Sequence, residues 1–178
     1  QPIEQLFALR LIPGLAVVRP ADAMEVAAAW TLALTRGHAP TAFSLSRQKV
    51  QNFARPAGFD PKTMLKGAYV LAEAEGGTPD LVIVATGAEV GLAMGAKKEL
   101  EGKGKKVRVV SAPCLEVFEA QDEAYRRSVI PKGVKRVAIE AGRTMGWKAL
   151  LGEDAVVIGL DHYGASAPDK VLAEKFGL

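Results

Sequence analysis

Apolar residues recur along this chain in two rhythms, short unbroken runs and longer stretches at helical spacing, and the two alternate almost from end to end. In "PIEQLFALRL" (residues 2–11) Ile3, Leu6, Phe7 and Leu11 follow helical spacing behind a Pro2 suited to a first turn, which predicts a short helix. Leu15 to Val18 form a continuous apolar run closed by Arg19 and Pro20, and read as a buried strand. Asp22, with Glu25 three residues on, makes a capping-box-like start for "AMEVAAAWTLALTR", whose composition predicts the firmest helix of the first third. A second strand begins at Thr41, so the order strand, helix, strand predicts a parallel pair joined by a crossover.

From Gln48 to Lys66 the rhythm stops: two prolines, one glycine and no sustained period describe a connection. Beyond it the alternation resumes. Strands are predicted over Gly67 to Ala74, Leu81 to Thr86, Lys106 to Pro113, Val134 to Glu140 and Ala155 to Asp161, and helices over Ala88 to Gly102, Phe118 to Pro131 and Ala167 to Leu178. The fold class is therefore α/β: a mostly parallel five-stranded sheet with helices on both faces, preceded by a βαβ fragment of a second α/β domain. The first of the five strands, tied to the second by a short turn, is expected to run antiparallel at an edge. This places one unit at residues 1–52, a linker at 53–66 and a second unit at 67–178.

Composition narrows the function classes. With 49% apolar and 24% charged residues the chain resembles a globular protein in water, and its net charge of +3, spread without a basic stripe, speaks against a nucleic-acid partner. No run approaches the roughly eighteen apolar residues of a membrane helix, so no membrane partner is expected. Cys114 is the single cysteine, which fits a reducing, cytoplasmic setting. The chain opens on Gln1 rather than methionine, and the expectation is that it starts inside a longer protein.

In open α/β sheets, ligands sit beyond the carboxyl ends of the strands. Arg47, in "SLSRQ", occupies such a place, with a planar fork of donors that suits phosphate or carboxylate. Pattern alone favours a structural salt bridge there, with Ser46 and Gln48 orienting the arginine or closing the strand. "ATGAEVGLAMG" supplies a strand, turn and helix start with Gly87 and Gly91, but lacks the spacing of a dinucleotide or phosphate loop, and plain turn chemistry is the better reading. Glu140 ends a strand as a buried acid or helix-cap partner. Asp161, His162 and Ser166 share one loop, whereas a hydrolase triad needs groups converging from separate segments. His38 lies in a turn, the two histidines and one cysteine are too scattered for a metal site, and Trp30 and Trp147 read as packing anchors.

Taken together, these segments resemble the carboxyl-terminal part of the transketolase family over essentially the whole chain. "QPIEQL" is similar to the continuation of that family's "DGPTHQP" motif, "RPADAMEVAAAW" to its "RPAD...E...AW" segment, and "SLSRQ" to its substrate-binding strand end. "VIVATGAEVGLA", "VRVVSAP", "FEAQDEAYRRSVIP", "IEAG" and "GASAP" then follow in family order. The resemblance implies that residues 1–52 are the end of a pyrimidine-binding domain and residues 67–178 the carboxyl-terminal domain. It implies an intact enzyme of the pentose phosphate pathway that uses thiamine diphosphate and a divalent cation (Mg or Ca) to move a two-carbon ketol unit from a ketose phosphate to an aldose phosphate. Its partners would be sugar-phosphate substrates, the absent amino-terminal domains of the same protein and a second copy in a homodimer. Arg47 falls on the family's arginine for the substrate's terminal phosphate. The chain begins just after the family's donor-contacting histidine and lacks its cofactor-activating glutamate, so no catalytic, cofactor-binding or metal-binding residue is implied here and the segment alone is expected to be inactive. Deoxyxylulose-phosphate synthase and the β-subunit of a 2-oxoacid dehydrogenase share this architecture and are the alternatives, although "RPADAMEVAAAW" and "SLSRQ" argue against them. A free-standing regulatory or interaction module that binds a small anion is a third.

Overall fold

The computed structural model describes residues 2–178, apart from the side chain of Asp169; Gln1, which opens "QPIEQL", lies outside the described residues. The first unit consists of α1 (Gln5–Arg10), β1 (Ala16–Val18), α2 (Ala23–Thr35) and β2 (Thr41–Phe43). Asp22 caps α2, its carboxylate accepting from the Glu25 amide at 3.0 Å, while the Glu25 carboxylate reaches back to the Ala21 amide at 2.7 Å. β1 and β2 pair in parallel, with Ala16 beside Thr41 and Val18 beside Phe43. The other edge of β1 is closed differently: the Val17 amide donates to the Glu116 carboxylate at 3.2 Å and the Arg19 amide to the Pro113 carbonyl at 2.8 Å. Among the described residues, no strand pairs with the outer edge of β2.

The aperiodic connection contains a 3-10 helix, Pro61–Lys66, capped by Asp60, which accepts from the Lys62 amide at 3.0 Å. It ends at Gly67, whose φ is +87° and where an added Cβ would collide with the Cys114 carbonyl and the Phe118 amide. Only glycine meets both demands.

The second unit continues with β3 (Tyr69–Ala72), β4 (Leu81–Ala85), α3 (Glu89–Glu101), β5 (Val107–Ser111), α4 (Leu115–Glu119), α5 (Glu123–Val129), β6 (Lys135–Ile139), α6 (Met145–Leu151), β7 (Val156–Ile158) and α7 (Asp169–Phe176). Its sheet order is β3-β5-β4-β6-β7, with β3 antiparallel to β5 at one edge and every other pair parallel. Successive residues of β4 point to opposite faces, and both faces are dry. Val82 and Val84 join Phe118, Trp147 and Leu151 on one side. Ile83 and Ala85 join Val90, Ala93 and Met64 on the other.

Two elements depart from the apolar pattern. The single polar helix expected over residues 118–131 is divided into α4 and α5, because the Asp122 carboxylate starts a new helix by accepting from the Tyr125 amide at 2.7 Å. The sequence pattern does not predict the helix α6: its 7 residues show too few turns for a period to emerge, and Gly146 interrupts them. That glycine is where the Phe7 ring of α1 packs, in space a side chain would fill.

Two buried polar clusters fasten the first unit to the second. In one, Glu140, 1% exposed, accepts from Arg10 through both oxygens at 2.8 and 2.9 Å. It also accepts from Arg19 at 3.0 Å, the Thr86 hydroxyl at 2.7 Å and the Trp147 indole at 2.9 Å. Arg19 further pairs with Glu89 at 2.8 Å. Burial alone would raise the Glu140 pKa, but the hydrogen bonds and charge of Arg10, with Arg19 and Thr86, outweigh it and hold it at about 2. In the other cluster, Glu25 accepts from the Ser111 and Tyr69 hydroxyls at 2.6 and 2.7 Å, and Arg55 grips Asp22 at 2.6 and 3.1 Å. Here burial prevails: it pushes the Glu25 carboxyl above its ordinary pKa, opposed by Ser111, Tyr69 and the Ala21 amide and aided by the charge of Asp22.

The two acids therefore respond to pH in opposite senses. Glu140, depressed when folded, stabilises fully above the unfolded glutamate value of about 4.3, and that contribution is lost as pH falls toward about 2. Glu25, raised when folded, contributes at low pH and loses that contribution as pH rises through its folded pKa. Urea titrations should show Glu140→Gln losing about 3–5 kcal/mol at neutral pH, and then falling less than the parent between about pH 4.5 and 2. Glu25→Gln should cost more at about pH 4 than at about pH 7. Gly67→Ala should lower stability by at least about 1–3 kcal/mol, read from the same titrations at one pH.

Candidate functional site

β2 delivers the chain to the rim where Arg47 stands. The ladder with β1 extends one residue past the strand, the Ser44 amide donating to the Val18 carbonyl at 2.9 Å, and the backbone then bends through Arg47 and Gln48. Arg47 is exposed and, among the described residues, makes no side-chain hydrogen bond or ion pair. The salt bridge that pattern alone favours is therefore not formed. Nor do Ser46 and Gln48 hold the guanidinium; they line different depressions on either side of it in sequence.

Gln48 belongs to a cleft of about 470 Å³ beyond the carboxyl ends of β4 and β6, where Ala88, Glu89, Ala141, Leu160 and Phe176 also form the lining. Ser46 and Leu45 border a shallower depression of about 380 Å³ at the start of α2, with Pro20, Asp22 and Asn52. Arg47 itself lines neither depression, but it is exposed and its donors are unpaired among the described residues, as a ligand-binding arginine has to be before its ligand arrives.

The remaining candidates are engaged elsewhere. At Gly87 the turn after β4 is occupied: an added Cβ would lie 3.2 Å from the Arg19 guanidinium, and the Gly87 amide donates to the Arg19 carbonyl at 3.0 Å. The glycine gives passage to a structural arginine. Glu140 is the buried acid already described. Asp161 accepts from the Thr144 hydroxyl at 2.6 Å and amide at 3.1 Å and pairs with Arg143 at 3.3 Å, so it steadies the start of α6. His162 turns its Nδ1 to the Tyr163 carbonyl and its ring to Phe176, away from a triad. Cys114 is buried, and its thiol is pushed up to about 12, first by burial and then by the charge of Glu116, which makes it a poor nucleophile. Trp147 is the fully buried anchor expected of it, whereas Trp30, read the same way, is 56% exposed and lies against Phe43 with ring centroids 4.9 Å apart.

What the sequence reading missed are the interunit arginines Arg10, Arg19 and Arg55. Each is separated by many positions from its acid, so no local spacing marks the pair. A faint signal exists in Arg19, a charge placed directly after a buried run and before a proline.

Comparison with known proteins follows the same outline. A family model described as the transketolase-like TK C-terminal domain matches residues 67–178, and one described as the transketolase pyrimidine binding domain matches residues 1–52. Transketolase of Aquifex aeolicus (strain VF5) is 54% identical over 178 residues, which is 99% of this chain and 26% of that protein. The solved transketolase from Leishmania mexicana superposes with a TM-score of 0.86 at 43% identity, over 99% of this chain and 25% of its own. A transketolase complex with sedoheptulose-7-phosphate from Pichia stipitis superposes with a TM-score of 0.88 at 37% identity, again over 99% and 25%. The chain thus spans about a quarter of the length of the relatives it matches, at 26% and 25% of those chains. A family model covering more than half of the residues, together with the identity and superposition of these relatives, shows that the chain belongs to the transketolase family, as a segment carrying its C-terminal domain.

Proposed function

We propose that this chain is the carboxyl-terminal segment of an enzyme that transfers a two-carbon ketol unit between sugar phosphates in the pentose phosphate pathway, and that Arg47 binds the phosphate at the far end of the substrate. The observation that carries the Arg47 role is its side chain: exposed at the end of β2 and, among the described residues, without a hydrogen bond or ion pair. A guanidinium there offers paired N–H donors to a phosphate, and binding at the remote end orients the reacting carbonyl. The relative from Pichia stipitis solved with sedoheptulose-7-phosphate supports a phosphorylated sugar as the ligand class.

The pyrimidine-binding match supports thiamine diphosphate as the cofactor of the intact enzyme, and the proposal includes a divalent cation, a homodimer and a reducing cytoplasm. The residues present do not form the cofactor's cradle. The buried carboxylates of Glu25 and Glu140 are committed to donors of this chain, the half-buried Glu116 accepts from the Val17 amide through one oxygen only, and no group of three or more metal-ligating side chains occurs among the described residues. The cofactor would be held by segments outside this chain, with 1–52 completing the pyrimidine-binding domain, 53–66 linking and 67–178 forming the carboxyl-terminal domain.

In the intact enzyme, Arg47→Ala should lower kcat/KM for xylulose 5-phosphate with ribose 5-phosphate by about tenfold to a hundredfold, mostly through KM, with Arg47→Lys intermediate. An unphosphorylated ketol donor should be affected much less. An equal loss for both donors would overturn the phosphate role. Failure of the parent enzyme to move a two-carbon unit between the two pentose phosphates would overturn the activity itself.

A further inference from the structure

Far from the rim that carries Arg47, the sheet unit has a second concentration of cationic side chains. Between α5 and the amino end of β6 lies a cleft of about 130 Å³ lined by Arg126, Arg127 and Arg136, with Phe118 and Leu150 as apolar walls. Arg136 is the second residue of β6 and shares the face of Ala138, which packs in the core with Phe118 and Trp147. Its guanidinium lies against Gly152, where an added Cβ would meet both terminal nitrogens at 3.6 and 3.7 Å.

The cations here outnumber their partners. Glu123, also in the lining, is taken by Arg127 at 2.9 and 3.1 Å and by Lys132 at 3.4 Å, through one and the same oxygen. Arg126 and Arg136 are left with no side-chain hydrogen bond or ion pair among the described residues, and the Nε of Arg126 is buried without an acceptor. Glu119 is close enough for the charge of Arg126 to oppose the rise that burial and Glu116 cause in its pKa, but makes no bond to it. Guanidiniums brought together on two elements, one with a buried donor unmet, repel one another unless an anion lies between them.

The geometry points to a phosphate-binding site in the carboxyl-terminal domain, formed by Arg126 and Arg136 with Arg127 at its border, for a phosphate ion or a small phosphomonoester. Donors arriving from a helix and from a strand suit the several oxygen directions of a tetrahedral dianion better than a planar carboxylate, which one guanidinium fork satisfies. The apolar walls formed by Phe118 and Leu150 limit water at the charged groups and so strengthen the contact. The site uses none of the residues assigned to the substrate and stands independently of that reading.

The test uses the 178-residue chain carrying Arg47→Ala, so that the rim arginine contributes nothing. Inorganic phosphate is titrated at constant ionic strength while the Nε–H signals of the arginine side chains are followed by nitrogen-15 NMR. The Arg126 and Arg136 signals should shift and saturate at about millimolar phosphate, and chloride should not reproduce the effect. Arg136→Ala should weaken the apparent affinity by about tenfold or more, and Arg136→Lys by less, with the remaining spectrum confirming the fold. Unsaturated drift common to phosphate and chloride, or an affinity indifferent to both substitutions at Arg136, would overturn the site.

Discussion

One buried carboxylate holds the two units of this chain in register. Glu140 sits at the end of β6 in a place from which water is excluded, and an ion there would be costly if it were alone. It is surrounded instead by two guanidiniums from the first unit, Arg10 and Arg19, and by a hydroxyl and an indole from the second, Thr86 and Trp147. The charges are shared further, since Arg19 also reaches Glu89. Such a cluster is weak evidence for stability by itself, but its directional bonds allow only one seating of the first unit on the sheet. Apolar packing alone would tolerate a slip, whereas a bidentate arginine would not.

The second cluster works on a different principle. Glu25 is as deep, yet its donors are two hydroxyls and an amide rather than a directly bonded guanidinium, and Arg55 spends its bonds on Asp22, the Phe53 carbonyl and the Tyr69 hydroxyl. Two acids at one junction thus end on opposite sides of the ordinary carboxylate pKa because one has cations in contact and the other mainly dipoles. The aperiodic connection takes part as well: Phe53 and Arg55 lie in it, so the segment acts as a strap across the junction.

Most of the architecture was legible because runs dominated by apolar residues are buried on both faces, continuous in β4 and interrupted only by Arg108 before Ser111 in β5. The helix α2 was readable for a different reason, its helix-favouring composition behind the Asp22 cap. The boundaries of short elements were not, because α6 and the division between α4 and α5 turn on single residues, the missing side chain of Gly146 and the carboxylate of Asp122, whose effect appears only in three dimensions. The rim arginine could be singled out from its place after a strand. Its lack of a partner could not, since that depends on which acids the fold brings near, and Glu89, the acid in the cleft beside Gln48, is taken by Arg19. The arginine cluster on α5 and β6 was hidden for a related reason, Arg126 and Arg136 lying on separate elements.

The pairing of β1 with a glutamate instead of a strand has a directional consequence. Because Val17 and Arg19 donate to Glu116 and Pro113, the small sheet has a sealed flank and an open one, and it can be widened only past β2. Any strand recruited there would run alongside the segment that leads to Arg47, so whatever widens this sheet also becomes a neighbour of the rim.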